Sequence, residues 1–292
     1  MIKRIKNSLA FRLSGLYKSV LKYFVSTPGK KTTAFTNEYD LVILCGAQQV
    51  DMLRLCLKSI YNRFEKLPHV FVFTDLNVNM DECKKAVKWF PAENLNIIRG
   101  IDCLNYHFNH KKESLIAFAK NNPMGIKLAA IMQMLNAGKP IIYCDTDVLW
   151  YNDPLPVIKE YLKDEDFEMA MSEDFQPAYD QNLVKKANLD ALNKAPYFCA
   201  GILMIKKLSE QNQKTLTSLL KIVEQESNHF SEQTIFAFLN KKGNNLALDN
   251  TKFIIKTTDQ FDLQSHPIPG VIARHYIGPV RHLFWRDALW IK

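Results

Sequence analysis

Residues Pro140 to Pro156 read PIIYCDTDVLWYNDPLP. An apolar run from Ile141 to Cys144 ends in Asp145-Thr146-Asp147. A second run, Val148 to Trp150, leads into the turn Asn152-Asp153-Pro154. The pattern predicts a buried strand that delivers two carboxylates to its carboxyl end, where open α/β sheets place their ligands. Asp145 and Asp147 are two apart, so extended backbone sends them to one side. Two carboxylates held together repel unless a cation lies between them. Hard oxygen donors suit Mg²⁺ or Mn²⁺, which also bind substrate phosphates. By itself the pair also reads as two solvated acids at a strand end, so the rest of the chain has to decide.

Upstream, Tyr39 to Cys45 reads as a first strand followed by the turn Gly46-Ala47-Gln48-Gln49. Asp51 is placed to cap a helix that runs to about Phe64. Val70 to Thr74 is a second strand ending at Asp75. A helix near Met80 to Trp89 and a strand from Asn96 to Arg99 follow. This β-α-β-α-β order predicts a parallel sheet with right-handed crossovers. Residues 101–122 read as irregular. Their His107 and His110 fit a solvated loop better than a metal pair. Pro123 can open, and Gly138 close, an apolar helix with Lys127 in its first turn. Leu155 to Leu162 reads as helix and Met169 to Ser172 as a short strand, followed by Glu173-Asp174. Tyr197 to Ile205 (YFCAGILMI) is a further strand. Ser209 caps a polar helix, and Ser231-Glu232-Gln233 opens another.

With these residues in view, IIYCDTDVLWYNDPL resembles the D-x-D segment of GT-A-fold glycosyltransferases. It is most similar to the retaining group around glycogenin, the bacterial lipopolysaccharide galactosyltransferases and the plant wall xylosyltransferases. The resemblance covers residues 39–285. It implies a mixed, mostly parallel α/β sheet flanked by helices, and a nucleotide-sugar donor, UDP-linked, held through Mn²⁺ or Mg²⁺. YFCAGILMI resembles the family's F-N-A-G-V-L-L-I strand, with Cys199 where Asn is usual and with Ala200 and Gly201 matching. That match implies that the small residues admit the donor sugar. Glu232-Gln233 resembles the family's D-Q pair at the reacting centre, and together with Asp174 supplies the catalytic candidates. His275-x-x-Gly278-x-x-Arg281 resembles the tail H-x-x-G-x-x-K-P-W. This makes His275 the third metal ligand beside Asp145 and Asp147, with Gly278 and Arg281 at the diphosphate. Ala47, Gln48 and Asp75 become candidates for base and ribose contacts, and Lys127 for the nucleotide-sugar. A surface lysine is the other reading of Lys127.

Composition sets the remaining bounds. Over 292 residues, 47% hydrophobic and 23% charged residues are ordinary for a globular α/β domain. The six cysteines form no C-x-x-C pair and lie mostly in apolar segments, as buried free thiols do. The net charge is +8. All of that excess lies in residues 1–37, which carry Lys3, Arg4, Lys6, Arg12, Lys18, Lys22, Lys30 and Lys31 and no acid. A body with balanced charge argues against nucleic acid as a partner.

The chain therefore divides into a basic leader, 1–37, and a transferase domain, 38–292. Within the leader, Ile2, Ile5, Leu9, Leu13, Leu16, Val20 and Phe24 form one stripe of an amphipathic helix over 2–25, followed by a linker from Ser26 to Asn37. Such a helix suits an anionic membrane surface, with a helix docked on its own domain or on a second subunit as alternatives. No signal-peptide core or membrane-spanning run is visible, so the expected location is cytoplasmic and peripheral to a membrane. The acceptor implied is a glycan or glycolipid. Two other classes stay open: a sugar-1-phosphate nucleotidyltransferase and a non-catalytic binding protein of the same fold. The first would carry a Gly-rich basic loop after the first strand, and GAQQVDML has no basic residue before Arg54.

Overall fold

The structure, a computed structural model, describes residues 9, 12–21, 34–243, 246–261 and 269–291. Ile2, Ile5 and Phe24 of the proposed leader stripe lie outside them.

Strand β1 (Phe35–Cys45), helix α2 (Val50–Arg63), strand β2 (Leu67–Thr74), helix α3 (Met80–Val87) and strand β3 (Leu95–Ile98) form the expected β-α-β-α-β unit. β1 begins inside the stretch read as a linker, and Phe35 already pairs with Leu67. Helices α4 (Gly100–Asn109), α5 (Glu113–Asn121) and α6 (Pro123–Leu135) lead to strand β4 (Ile141–Asp145) and the short strand β5 (Val148–Trp150). Then come α7 (Leu155–Lys163), β6 (Met169–Asp174), α8 (Gln181–Lys186), β7 (Tyr197–Ile205), α9 (Glu210–Val223) and α10 (Ser231–Lys242). Strands β8 (Leu246–Leu248), β9 (Phe253–Ile254) and β10 (Ala273–His275) and helix α11 (Arg281–Ala288) complete the order. A helical run over 12–21 is α1.

The main sheet runs β3-β2-β1-β4-β7-β6-β8, with β7 antiparallel to both of its neighbours and the other pairings parallel. This is the mixed, mostly parallel sheet that the sequence implies. β1 shows why its run is so apolar. Val42 and Leu44 enter one core layer, and Leu41, Ile43 and Cys45 enter the other, so both faces are covered. A second sheet, β5-β10-β9, stands beside the end of β4. All six cysteines are buried and free. Among the described residues, no helix is long and apolar enough to cross a membrane.

Residues 101–122 correct the sequence reading. They are mostly helix (α4 and α5), because Cys103, Leu104 and His107, then Leu115, Ile116, Phe118 and Ala119, fall at helical spacing and are buried. Lys111, at φ 56°, joins the two helices in the left-handed region. His107 is 1% exposed and its Nε2 lies 2.8 Å from the Ala129 carbonyl oxygen, so it is a core histidine. The capping of α2 also differs. Its first residue is Val50, and Asp51 sits in the first turn without capping it. Ser209 caps α9 through the Asn212 N–H, as expected. Asn122 caps α6, a role the sequence reading passed over.

In the leader, residues outside the predicted stripe make the contact with the domain. Leu21 is buried and Tyr17 packs against a sub-core that includes Tyr276, Phe284, Trp285 and Ile291. The Lys18 ammonium stands 5.0 Å over the Trp285 ring. Leu9, Leu16 and Val20, three members of the predicted stripe, face outward and are exposed.

Candidate active site at the carboxyl edge of the sheet

β4 ends at Asp145, and the turn Thr146-Asp147 leads into β5. β10 pairs antiparallel with β5 so that His275 lies opposite Val148, and the Tyr276 N–H donates to the Asp147 carbonyl oxygen at 2.9 Å. This pairing brings a histidine 128 positions downstream of Asp147 onto the two carboxylates. His275 Nε2 lies 3.2 Å from Asp147 Oδ1 and 3.6 Å from Asp145 Oδ2.

The outer oxygens are anchored elsewhere. Asp145 Oδ1 accepts from the Tyr143 hydroxyl at 2.5 Å and faces the Lys127 ammonium at 3.4 Å. Asp147 Oδ2 accepts from Arg281 Nε and lies 2.8 Å from its Nη2. One ligand atom from each of Asp145, Asp147 and His275 lies within 4.8 Å of the others. Two carboxylate oxygens and one imidazole nitrogen, converging with their other atoms already held, fit a divalent cation of the Mn²⁺ or Mg²⁺ kind.

Charge in this cluster is closely balanced. Burial pushes the Asp147 carboxyl up, but His275 and Arg281 outweigh it and hold it below the usual carboxylate range. Burial pulls His275 down, while Asp147 and Cys199 pull harder the other way, so the imidazole keeps its proton well above the ordinary histidine range. The imidazole faces both carboxylates, and the guanidinium pairs with the outer oxygen of Asp147.

Lys127 reaches the site, and neither of its sequence readings describes it fully. It is 3% exposed, not a surface lysine. Its ammonium donates to the Ala200 carbonyl oxygen at 2.7 Å, lies 3.5 Å from Glu232 Oε1 and stands 4.6 Å over the Tyr143 ring. On the same helix Gly125 lets α6 close on α5, where a Cβ would come 2.5 Å from the Ala119 Cα. Glu232 is 2% exposed, and burial drives its carboxyl up to about 7, against the opposing pull of Lys127. Burial likewise raises Asp174, despite the N–H of Phe175 bonding its Oδ1 at 2.7 Å.

A bulge explains how Ala200 can serve this network. Met171 pairs with Leu203, but the next residue, Ser172, pairs with Cys199. Residues 200–202 are therefore skipped on the β6 side, and the backbone of Ala200 is free to turn inward. Its carbonyl takes Lys127, and its N–H donates to Gln233 Oε1 at 3.1 Å. Gln233 Nε2 in turn donates to the Ala178 carbonyl oxygen at 2.7 Å. The Gln233 amide thus clamps β7 to the loop after β6.

A cavity of about 440 Å³ opens over these groups. It brings together the candidates Lys127, Asp145, Asp147, Asp174, Glu232, Gln233, His275, Gly278 and Arg281. Ala200 and Gly201 stand behind its wall. A Cβ on Gly201 would lie 2.1 Å from His275 Cε1 and Nδ1, so the glycine makes room for the imidazole. Gly278 has open space around its Cβ direction, and nothing steric there requires glycine.

Ala47, Gln48 and Asp75 do not line the cavity. Ala47 and Gln48 are exposed, and Asp75 Oδ2 accepts the Ala47 N–H at 3.2 Å. Gln49, a turn residue with no family motif to mark it, does line it. Its Oε1 accepts from the Gly46 N–H at 3.1 Å and from the Thr146 hydroxyl at 3.0 Å, tying the first strand's turn to the D-x-D turn. Tyr143, which bonds Asp145, and the cavity-lining Phe175 and Phe230 are likewise unmarked in the sequence. As an apolar strand position Tyr143 gave no signal.

The sequence profile of the nucleotide-diphospho-sugar transferases matches residues 92–261, more than half of the chain. Comparison with curated protein sequences returns no match. Among solved structures, the galactosyltransferase LgtC in complex with donor and acceptor sugar analogues superposes with TM-score 0.56 at 15% identity, over 86% of this chain and 94% of its own. Mouse xyloside xylosyltransferase 1 gives 0.57 at 13%, over 83% and 98%. The bifunctional glycosyltransferase WbbM gives 0.57 at 14%, over 90% of this chain and 51% of its own.

Proposed function

This chain belongs to the nucleotide-diphospho-sugar transferase family with a GT-A fold, and we propose that it moves a sugar from a UDP-linked donor to a glycan or glycolipid, with retention of configuration. The observation that carries the reading is the convergence of Asp145, Asp147 and His275, backed by Arg281, at the carboxyl edge of the sheet. Retention is proposed only on the resemblance of the D-x-D, A-G and tail segments to the retaining group of transferases.

In this reading Asp145, Asp147 and His275 hold Mn²⁺ or Mg²⁺. When bound, the cation supplies Lewis-acid charge at the leaving diphosphate. The chain's own residues do the rest. Arg281, half-exposed, can turn its guanidinium from Asp147 toward phosphate oxygens and offset the charge that develops as the glycosyl–phosphate bond breaks. Lys127 holds Asp145, Glu232 and the Ala200 carbonyl in one cluster, which fixes the floor beneath the donor sugar. Glu232, whose carboxyl burial raises to about 7, can in its protonated form donate a hydrogen bond to a donor hydroxyl. Asp174 lies in the same cavity beside Phe175. Phe175 and Phe230 line the cavity and remain 51% and 41% exposed, which suits the apolar face of an acceptor sugar. Incubation of the protein with a panel of nucleotide-sugars, with and without Mn²⁺, tests the proposal. Metal-dependent release of UDP from one donor supports it, and no release from any donor sinks it.

We further propose that α1 brings the enzyme to an anionic membrane. Its docked face is Tyr17 and Leu21, which leaves Leu16 and Val20, with Leu9 before it, exposed. An outward apolar stripe in a segment of basic sequence matches an interfacial helix.

A further inference from the structure

The imidazole of His275 is held from behind as well as in front. Cys199 Sγ lies 3.6 Å from its Nδ1, and Cys199 and His275 are each 5% exposed. Gly201, two residues further along β7, leaves the space that the ring fills. The two residues flank the bulge at Ala200, so the local distortion of β7 also shapes a seat for the histidine. An imidazole that ligates a cation through Nε2 must leave that nitrogen bare and carry its proton on Nδ1. That proton needs an acceptor, which in most metal sites is a carboxylate or carbonyl oxygen. Among the described residues, the partner of Nδ1 here is the Cys199 sulfur.

We propose that Cys199 is a positioning residue for the metal site: its sulfur accepts the Nδ1–H of His275, fixes the tautomer and ring angle, and keeps Nε2 aimed at Asp145 and Asp147. The inference rests on the reading of Asp145, Asp147 and His275 as a divalent-cation site. Sulfur is a weak acceptor and a soft one, so the ring is held by shape as much as by the bond. Gly201 and Cys199 act together in this, one by absence and one by contact. The chemistry of the metal site is therefore tied to a thiol that itself lines the cavity.

The test uses full-length protein and Mn²⁺ as the probe, in the presence of UDP, with free Mn²⁺ read by electron paramagnetic resonance. Cys199→Val and Cys199→Thr have the same shape, and only threonine offers an acceptor. Cys199→Val should weaken Mn²⁺ binding by roughly 10- to 100-fold, the range for loss of an outer-shell partner. Cys199→Thr should recover most of that loss, and both variants should melt at similar temperatures. Cys199→Ala, which adds no bulk, should behave as Cys199→Val does and covers the case in which a branched side chain does not fold. If all variants bind Mn²⁺ as tightly as the native protein, or if threonine is no better than valine, the positioning role is wrong. If the native protein binds no Mn²⁺ at all, the metal site itself is wrong and this inference falls with it.

Discussion

A side chain at Gly201 and the imidazole of His275 cannot occupy the same place: a Cβ on Gly201 would lie 2.1 Å from the ring's Cε1 and Nδ1. Gly201→Ala should therefore expel His275 from its seat while the sheet survives. We expect Mn²⁺ affinity and transfer to fall together, by at least about tenfold, with far-UV circular dichroism unchanged. Lost transfer with native Mn²⁺ affinity would assign the glycine to the donor sugar instead.

Asp147→Asn keeps the volume of a buried carboxylate but removes its charge. It also loses the ion pairs with Arg281 and His275. Donor turnover should drop roughly 10²- to 10³-fold, the scale for deleting one preorganised electrostatic group. Excess chelator should have the same effect on the native protein and none on the residual rate of the variant. A chelator-resistant native enzyme would overturn the metal assignment.

Metal binding should tighten as pH rises. His275 holds its proton well above the ordinary histidine range, chiefly because Asp147 outweighs the effect of burial. The proton on Nε2 has to leave before a cation can bind, so protons compete with the metal. Apparent Mn²⁺ affinity should rise about tenfold per pH unit while the imidazole is charged, and then level off. Calorimetry between pH 6 and pH 8 reads this directly. An affinity that is flat, or that falls over this range, contradicts the ligand role of His275.

Lys127 and Glu232 form a buried pair with side chains 4% and 3% exposed. Lys127→Met removes one partner and should destabilise the fold by about 3 kcal/mol in urea unfolding. The double variant Lys127→Met with Glu232→Gln should recover part of this, since no uncompensated carboxylate remains at that position. Glu232 also sets a sign with pH. Its folded value of about 7 lies above that of the unfolded chain, so the native state keeps a proton that the unfolded chain releases. Its contribution to stability should therefore decline as pH rises toward 7, and Glu232→Gln should flatten that slope.

Leu16 is 59% exposed, and Val20, one turn on, is 38% exposed. Leu16→Glu with Val20→Glu should abolish sedimentation with anionic vesicles at low salt and leave donor hydrolysis intact. Deleting α1 outright is a poorer test, because it would uncover the sub-core against which Leu21 and Tyr17 pack. Equal vesicle binding by the native and substituted proteins would rule out α1 as the membrane contact.

Local pattern alone determined the parallel half of the sheet. The run Tyr39 to Cys45 is buried on both faces, and apolar continuity is what such burial requires. The strand ending in Asp145, and the strand Tyr197 to Ile205, were legible for the same reason. Helices α4 and α5 were not, because their polar positions hid a modest helical period. Tertiary structure decided which chemistry-bearing residues meet. His275 reaches the carboxylates because β10 pairs with β5, and Lys127 meets Asp145 and Glu232 because α6 packs beside β4 and α10. Gly201 serves the histidine because the β7 bulge carries it there. Such contacts depend on pairings between distant segments and on space left by absent side chains, and neither leaves a periodic trace along the chain.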